Sequence, residues 1–493
     1  MVAVSSYHTY LFFYRMMIFK LPYIIFREYQ SFGYLTDNRN FGYDTASRSC
    51  LKVGDLILSQ IGSVFYSQLS EFPQNIDDVI EKLCQLFPGT SASTIRTDAY
   101  KFFTLLKSKG FVYIGEEVDV EAIKSQYFSY DNMKPYELLI PDNAINQQTY
   151  KNTFGIESRL TRVHIDVSSR CNENCVHCYI PTSEKHGLMS EEMFDIVLRQ
   201  SKEMNVLNLT ISGGEPMLNP SLGKFLLKCR ENNFSVDLLS NLTLLTENLL
   251  DIIARNPLIS VQTSLYAMDE SVHDAITRQH GSFQKTVNAI RLLHDRNVPL
   301  QINCPIMKQN LNYYKDVLSF AKSLNIEADS DYSLYGCYDY SKSNLACRLA
   351  ACEIEHVVND EISEPTKLEE LKETIQSKKV DFSDHICPVC KSFLCISNIG
   401  EVYPCEGWQS LKIGNLKEQS LKEIWEDSVV VNRLRNLAYK DFPKCNACLD
   451  KRYCNFCLIM NVNEDVRGNY MHINSFQCES ARIKHSRMKR LMQ

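Results

Sequence analysis

The sequence predicts an α/β protein built around a partial (β/α)6 barrel, with a winged-helix-like α+β unit before the barrel and a cysteine-rich unit after it. Six apolar segments of strand length alternate with amphipathic helical patterns between residues 161 and 334, which is typical of a parallel sheet covered by helices. Short strand patterns and three helical patterns fill residues 17–117. Twelve of the 19 cysteines fall in two stretches, 171–178 and 387–478.

Composition restricts the classes of protein to which this chain can belong. The chain has 493 residues, 44% hydrophobic and 23% charged, which are globular values for two or three folded units. A net charge of -6 gives no general electrostatic reason to bind nucleic acid. The most apolar stretch, 10–26, contains Arg15, Lys20 and Pro22, and no uninterrupted apolar run reaches about 18 residues. We therefore expect neither a nucleic-acid partner nor a membrane span.

The clustered cysteines favour metal binding over disulfides. A disulfide framework requires an oxidising compartment, and the sequence shows no signal peptide with a charged start, an apolar run and a small-residue cleavage site. The cytoplasm is therefore the expected location.

The N-terminal unit is expected over residues 17–117 and is followed by a polar linker over 118–158. Its helical patterns are read from apolar spacing, and the last helix is expected to end at Gly110 in a left-handed C-cap. The predicted elements are strands at 23–26, 41–44 and 50–53, helical patterns at 55–69, 76–87 and 93–109, and a strand at 111–114.

The barrel is expected over residues 159–345. Its predicted strands are 163–167, 207–212, 235–240, 259–265, 300–305 and 326–334, with helices such as 191–204 and 283–296 between them. In such parallel arrays functional residues gather at the carboxyl ends of the strands.

Cys171, Cys175 and Cys178 lie on one short loop directly after the first predicted strand. Three thiolates on one loop can hold a single metal centre, and on a four-iron cluster they leave one iron open to a substrate. The alternative is a structural zinc loop, which usually requires a nearby fourth Cys or His.

A second motif, Gly213-Gly214-Glu215-Pro216, follows the second predicted strand. Paired glycines let the backbone approach a ligand closely, and Glu215 offers a carboxylate for an ammonium group. The alternative is an ordinary turn.

Together the two motifs resemble those of radical S-adenosylmethionine (SAM) enzymes, which favour rings at the positions of His177 and Tyr179. The resemblance implies a TIM-type barrel whose 4Fe-4S cluster chelates the amino and carboxylate groups of SAM and generates a 5'-deoxyadenosyl radical. The SAM-binding residues that it implies are Tyr179, Gly213, Gly214, Glu215, Pro216, Ser240, Asn241, Ser264 and Arg278. Ser264 and Arg278 would hold the carboxylate and ribose region. Contacts to the adenine side are assigned to Asn303, Met307 and Asn310, for which packing is an equal alternative.

The C-terminal cysteines resemble the SPASM extension of radical SAM enzymes, expected here over 387–485 after a bridging region at 346–386. The resemblance implies two auxiliary 4Fe-4S clusters, three clusters in all. One would take Cys387, Cys405, Cys457 and either Cys390 or Cys395, and the other Cys445, Cys448, Cys454 and Cys478. Nine cysteines are present where eight suffice, and two residues separate Cys454 from Cys457 where the family usually has three. A pair of structural zinc sites is the alternative.

The N-terminal unit resembles the leader-peptide-binding domain of peptide-modifying enzymes, which pairs a leader with a sheet edge. Its rival is a DNA-binding winged helix, for which the candidate recognition helix offers Arg96, Lys101 and Lys107.

The three parts together look like a radical SAM/SPASM maturase of ribosomally synthesised and post-translationally modified peptides (RiPPs). The expected reaction is a thioether crosslink from a Cys sulfur to a carbon atom of a precursor peptide with a leader, with an electron donor such as flavodoxin or ferredoxin. Carbon-carbon crosslinking and sulfatase-maturase-type oxidation are alternatives, as is a noncatalytic iron-sulfur sensor with a DNA-binding head. The sequence identifies no catalytic base.

Overall fold

A computed structural model describes residues 16–21, 24–36, 55–116, 122, 158–377 and 380–491. The strands predicted at 41–44 and 50–53, and nearly all of the linker predicted at 118–158, lie outside these residues. Within them, no helix is both long and apolar enough to cross a membrane.

The N-terminal unit folds as a winged-helix-like α+β unit, as predicted. Among the described residues it has two antiparallel sheets, one with β1 between β5 and β6 and one with β3 between β2 and β4. Its elements are β1 (Met17–Lys20), β2 (Ile25–Glu28), β3 (Gly33–Thr36), β4 (Asp55–Leu58), α1 (Gln60–Ser67), β5 (Gln74–Asn75), α2 (Ile76–Leu86), α3 (Ala92–Ser108) and β6 (Val112–Gly115). Gly110 follows α3 with φ of 76°, which confirms the predicted left-handed C-cap.

The helical pattern predicted over 55–69 is wrong at its start, where β4 forms instead. Leu56 lies opposite Leu35 of β3, and this antiparallel pairing satisfies the backbone of the segment. The helix begins only after Ser59, whose side-chain oxygen accepts a hydrogen bond from Gly62 N at 3.1 Å. Ile61, an apolar residue within the predicted helical pattern, is 59% exposed. Apolar spacing alone does not separate a short strand from a helical turn.

The central domain confirms the predicted partial (β/α)6 barrel. Its six strands are all parallel and lie side by side in chain order. They are β7 (Arg162–Ser168), β8 (Asn208–Gly213), β9 (Ser235–Leu239), β10 (Ile259–Ser264), β11 (Leu300–Pro305) and β12 (Glu327–Asp331). The accompanying helices are α4 (Glu191–Glu203), α5 (Leu222–Glu231), α6 (Glu247–Ala254), α7 (Glu270–Thr277), α8 (Ser282–Asp295) and α9 (Tyr314–Ser323).

Alternation along the barrel strands gives them one apolar and one polar face. In β7, Val163 and Ile165 are fully buried in the hydrophobic core, whereas His164 and Asp166 face the other side. Strands of parallel sheets are usually apolar on both faces, so a polar inner face marks space for a ligand. The other strands continue this inner face with Thr210, Ser212, Asp237, Ser260, Gln262, Ser264 and Asn303.

The C-terminal domain extends the barrel sheet. β13 pairs in parallel with β7, on the side opposite β8, and an antiparallel hairpin follows it. The elements after the barrel are α10 (Ala351–Ser363), α11 (Pro365–Ser377), β13 (Phe393–Ile396), β14 (Glu401–Tyr403), β15 (Gly414–Asn415), α12 (Leu421–Asp427), α13 (Val429–Arg435), α14 (Pro443–Asn446), α15 (Leu458–Glu464) and α16 (Ser475–Leu491). The cysteine-rich domain and the barrel therefore share one continuous nine-stranded sheet.

The N-terminal unit contacts the barrel at the amino ends of its strands. The buried Arg27 guanidinium donates to the carbonyls of Val206 and Asn233, both at 2.8 Å, and to its neighbour Phe26 at 2.9 Å. Burial lowers the pKa of Arg27 to about 10, which leaves it charged. A small hydrophobic cluster seals the contact and contains Ile25, Phe32, Tyr34, Leu207 and Leu258.

Candidate active site

The loop with Cys171, Cys175 and Cys178 lies at the carboxyl end of β7. Backbone bonds from Asn174 N to Thr277 O and from Val176 N to Ile276 O fasten it to the end of α7. All three thiols line one cavity, and none of the described cysteines forms a disulfide.

These thiols are suited to binding a metal centre. Burial raises the pKa of Cys171 to about 12 and that of Cys175 well above its usual value. Thiols with raised pKa values keep their protons at neutral pH, and a bound metal would displace those protons. Three thiols on one cavity wall therefore fit an iron-sulfur cluster with one iron left open.

Gly213 and Gly214 pack against the strand that leads into this loop. A Cβ on Gly213 would lie 2.0 Å from the carbonyl oxygen of Ser168, and one on Gly214 would lie 2.4 Å from that of Arg170. Gly213 also has φ of 118°, which disfavours other residues. The glycines thus allow two backbones to meet: Gly214 N donates to Ser168 O at 2.7 Å, and Glu215 N to Arg170 O at 2.8 Å.

Glu215 is completely buried and connects two strand ends. One carboxylate oxygen accepts from Ser240 Oγ at 2.7 Å and Met217 N at 2.9 Å, and the other accepts from Asn241 N at 2.8 Å. Burial raises its pKa to about 7, and the three hydrogen bonds act in the opposite direction. The carboxylate is therefore occupied by protein donors, and Glu215 is not among the residues that line the cavity.

The cavity has a volume of about 260 Å³ and lies at the carboxyl ends of the barrel strands. The structure brings to it six of the residues predicted to bind SAM: Tyr179, Gly213, Gly214, Ser240, Asn241 and Ser264. Asn303, an adenine-side candidate, also lines it.

The other predicted residues lie elsewhere. Pro216 is buried in a short turn after Glu215. Met307 and Asn310 are fully buried, and the Asn310 side chain caps backbone groups of Tyr266, Pro305 and Met307. Arg278 is exposed at the end of α7 and outside the cavity wall.

Further polar residues of the cavity wall were missed in the sequence. Strand alternation could have found Gln262, which has the same orientation as Ser264 on β10, but no motif marks the others. His177 Nε2 lies 3.0 Å from the Tyr266 hydroxyl, and burial lowers its pKa to about 4, so the imidazole is neutral. The remaining additional lining residues include Glu173, Lys185, Thr263, His273, Thr277 and Thr286.

The C-terminal cysteines form two separate neighbourhoods. Burial raises the pKa of Cys457 to about 12, and the nearby Cys387 raises it further. Cys387 also raises the pKa of Cys390, and Cys457 raises the pKa of Cys405. These four thiols are therefore electrostatic neighbours, and Cys405 also raises the pKa of Cys395.

The second neighbourhood surrounds Cys445. Burial raises the pKa of Cys445 to about 11, with further contributions from Cys478 and Cys448. Cys454 lies with Cys445 and Cys448 beside the Tyr439 ring, since all three act on the pKa of that phenol. The ninth cysteine, Cys395, lies opposite His164 in the β13–β7 pairing and has its thiol 3.8 Å from Asp166.

Comparison with known proteins supports this assignment of domains. The Radical SAM superfamily matches residues 165–321, and SPASM, an iron-sulfur cluster-binding domain, matches residues 387–449. The chain carries a radical SAM domain followed by a SPASM domain. These two domains imply SAM and 4Fe-4S chemistry, as the cysteine loop predicts.

Two curated relatives of this chain match only part of its length. AdoMet-dependent heme synthase of Methanosarcina barkeri is 25% identical over an alignment of 319 residues, and the match covers 59% of this chain and 89% of that protein. PqqA peptide cyclase of Gluconobacter oxydans is 24% identical over an alignment of 299 residues, and the match covers 57% of this chain and 81% of that protein. The crystal structure of Streptococcus suis SuiB bound to precursor peptide SuiA is 17% identical with a TM-score of 0.58, and covers 93% of this chain and 100% of that one. At that identity the likeness to SuiB concerns the fold.

Proposed function

We propose that this radical SAM enzyme is a maturase of a ribosomally made precursor peptide and that it closes a thioether between a Cys sulfur and a carbon atom. The three-part architecture carries this proposal. SuiB, which was crystallised with a precursor peptide, matches 93% of this chain, and that share has to include most of the N-terminal unit. The heme synthase and the peptide cyclase match only 59% and 57% of it. A separate N-terminal unit that contains small sheets offers an edge to which an extended leader peptide can add.

For the radical step, Cys171, Cys175 and Cys178 would hold the cluster beside the cavity. When bound, this cluster and SAM would supply a 5'-deoxyadenosyl radical for removal of one hydrogen atom from the peptide. An auxiliary cluster would supply the acceptor for the one electron that is released when the sulfur loses its proton and bonds to carbon. The chain orients these groups through Glu215, which fixes the ends of β8 and β9. Glu173 Oε1 is buried without a hydrogen-bond partner among the described residues, which supports a polar ligand in this cavity.

We assign the SAM contacts to the cavity wall. Backbone groups of Gly213 and Gly214 would meet the amino group, and Ser240, Asn241, Ser264 and Tyr179 would complete the wall. Arg278 would reach the carboxylate from outside. Its side chain has no ion pair or hydrogen bond to another described residue and lies next to the α7 carbonyls that fasten the cysteine loop.

We propose three 4Fe-4S clusters in all. The neighbouring thiols support Cys387, Cys390, Cys405 and Cys457 for the first auxiliary cluster and Cys445, Cys448, Cys454 and Cys478 for the second. We assign Cys390 rather than Cys395 to the first auxiliary cluster because Cys395, although Cys405 raises its pKa, has its thiol 3.8 Å from Asp166 inside the barrel. An electron donor such as flavodoxin or ferredoxin would supply the reducing electron.

For the leader, we propose the outer edge of β4. Within the described residues β4 pairs with β3 alone, while β2 on the other edge of this sheet packs on the barrel. An extended peptide can add to such an edge by backbone hydrogen bonds. The DNA-binding alternative is less favoured because Arg96, the arginine of the candidate recognition helix, pairs with Glu81 at 2.9 Å and Asp77 at 3.6 Å, two carboxylates that would repel phosphates.

Anaerobic reaction with SAM, dithionite and the short peptides encoded beside the gene tests the proposal. A maturase forms 5'-deoxyadenosine and removes two hydrogens from the peptide for each crosslink. A thioether also consumes a thiol that iodoacetamide can label, whereas a carbon-carbon bond leaves every Cys labelled. A peptide with its Cys changed to Ser is the control.

Other outcomes point to other functions. Formation of 5'-deoxyadenosine with no change in any leader-bearing peptide contradicts peptide maturation, and oxidation of one residue in a leaderless peptide indicates the sulfatase-maturase type. A chain that shifts DNA on a gel, binds no leader by fluorescence titration and does not cleave SAM is a sensor.

A further inference from the structure

A cluster of three buried side chains lies inside the barrel, outside the SAM cavity. His164 and Asp166 come from β7 and Cys395 from β13, and all three are at least nine-tenths buried. His164 Nε2 lies 3.1 Å from Asp166 Oδ1, and Cys395 Sγ lies 3.8 Å from Asp166 Oδ2. Their potential ligand atoms all lie within 4.8 Å of one another.

We propose that His164, Asp166 and Cys395 bind a divalent transition-metal ion, with Zn²⁺ as the best fit. Imidazole nitrogen, carboxylate oxygen and thiolate sulfur are the three ligand types that zinc takes from proteins. The site is distinct from the three proposed iron-sulfur clusters, and it does not depend on whether the enzyme forms a thioether or a carbon-carbon crosslink.

The spacing of the ligand atoms suits a tetrahedral ion. Bonds of about 2.0 Å to nitrogen or oxygen and about 2.3 Å to sulfur place ligand atoms roughly 3.3 to 3.6 Å apart. His164 Nε2 lies 3.1 Å from Asp166 Oδ1 and Cys395 Sγ lies 3.8 Å from Asp166 Oδ2, on either side of that range. Since all three ligand atoms lie within 4.8 Å of one another, side-chain movements of up to about 1 Å would close the site.

Charge also favours a cation. A carboxylate and a thiolate carry two negative charges, and a divalent ion with a neutral imidazole would balance both in a buried place where an unpaired charge is costly. Gln409 could supply the fourth ligand, because its amide nitrogen lies 2.6 Å from Asp166 Oδ2 and 4.0 Å from Cys395 Sγ. Rotation of the amide would present its oxygen to the ion, and a water molecule could occupy the same coordination position.

The site accounts for the ninth cysteine and for its place in the fold. Cys395 lies opposite His164 in the β13–β7 pairing, so one ion would join the first barrel strand to the first strand of the SPASM domain. The metal site would therefore lie at the boundary between the two domains.

Zinc analysis of the iron-replete enzyme tests this site. We expect about one zinc per chain after growth with added zinc, and a zinc-edge X-ray absorption spectrum with one sulfur and otherwise nitrogen or oxygen ligands. His164→Gln, Asp166→Asn and Cys395→Ser should each lower the zinc content about tenfold at unchanged iron. Cys229→Ser, which alters a fully buried thiol on α5, is the matched control and should keep its zinc.

Three results would overturn the site. The first is an iron-replete wild type without zinc, which leaves His164 and Asp166 as a buried hydrogen-bonded pair. The second is a first shell of four sulfurs, which indicates zinc in a SPASM cluster site. The third is full zinc retention in both His164→Gln and Asp166→Asn. Two variants are used so that the test remains valid if one of them misfolds.

Discussion

The carboxyl and amino ends of the barrel strands make different kinds of contact. At the carboxyl ends, residues of β8 to β11 and of the loops that follow the strands surround a polar cavity of about 260 Å³. At the amino ends, backbone carbonyls of the barrel, such as those of Val206 and Asn233, accept hydrogen bonds from the N-terminal unit, while Leu207 and Leu258 contribute apolar side chains. The chemistry at one end therefore depends on particular polar side chains of the barrel, whereas docking at the other end depends on backbone carbonyls and apolar packing.

This contrast fixes where substitutions act. Changes in barrel side chains at the carboxyl ends should remove activity or distort the site. At the amino ends the sensitive residue is Arg27, which belongs to the N-terminal unit.

The largest effect is expected when Cys171, Cys175 and Cys178 are all changed to Ala. Without these thiols the cluster has no ligands, so reductive cleavage of SAM should disappear. Iron analysis should show a loss of about four irons per chain, because the SPASM cysteines are untouched. Loss of all iron would show that the clusters are not independent.

Gly213→Ala should cause the next largest effect. Its Cβ would lie 2.0 Å from Ser168 O at φ of 118°, so we expect a loss of about 4 kcal/mol, measured from the anaerobic urea midpoint. Gly89→Ala, whose Cβ would have no atom within 4 Å, is the control and should stay within about 0.5 kcal/mol of wild type. Equal midpoints for the two variants would contradict the close approach of the two backbones.

Arg27→Ala tests the amino end. Removal of a buried guanidinium leaves the Val206 and Asn233 carbonyls without their donor, so we expect a loss of about 3 kcal/mol and faster proteolysis of the N-terminal unit. Arg96→Ala breaks only exposed ion pairs and should cost less than about 1 kcal/mol. If the Arg27 variant resists protease like wild type, the docking does not depend on this residue.

The sequence identified the motifs at the carboxyl end, although no motif marked Glu173, Lys185 or His273, and it identified none of the contacts at the amino end, for physical reasons. Cys171 and Gly213 belong to contiguous motifs, and strand alternation places Ser264 on the inner face. Arg27 donates to backbone carbonyls, which every residue possesses, so no sequence pattern in the barrel predicts its partners. The contacts of Cys395 are equally hard to predict, because no local sequence feature indicates that β13 pairs with β7.

Glu215→Gln tests whether Glu215 stabilises the strand ends or contacts SAM directly. Its three partners include two backbone N–H donors, and an amide NH₂ in place of one oxygen would face a donor, so we expect a loss of about 2 kcal/mol. The affinity for SAM should change less than the stability, because the carboxylate lies outside the cavity wall. Equilibrium binding of SAM and urea unfolding measure the two effects, and a large loss of affinity at unchanged stability would make Glu215 a direct ligand.

The smallest effect is expected for Arg278→Ala. The side chain is exposed, so water screens its interaction with the SAM carboxylate, and the SAM concentration for half-maximal 5'-deoxyadenosine formation should rise about fivefold. Arg278→Lys keeps the positive charge but lacks the planar guanidinium, so its half-maximal SAM concentration should lie between those of wild type and Arg278→Ala. Arg255, an exposed arginine that follows α6 and leads towards the amino end of β10, is the matched control. If Arg255→Ala weakens SAM binding as much as Arg278→Ala does, the effect is one of net charge and the two ends of the barrel do not differ in this respect.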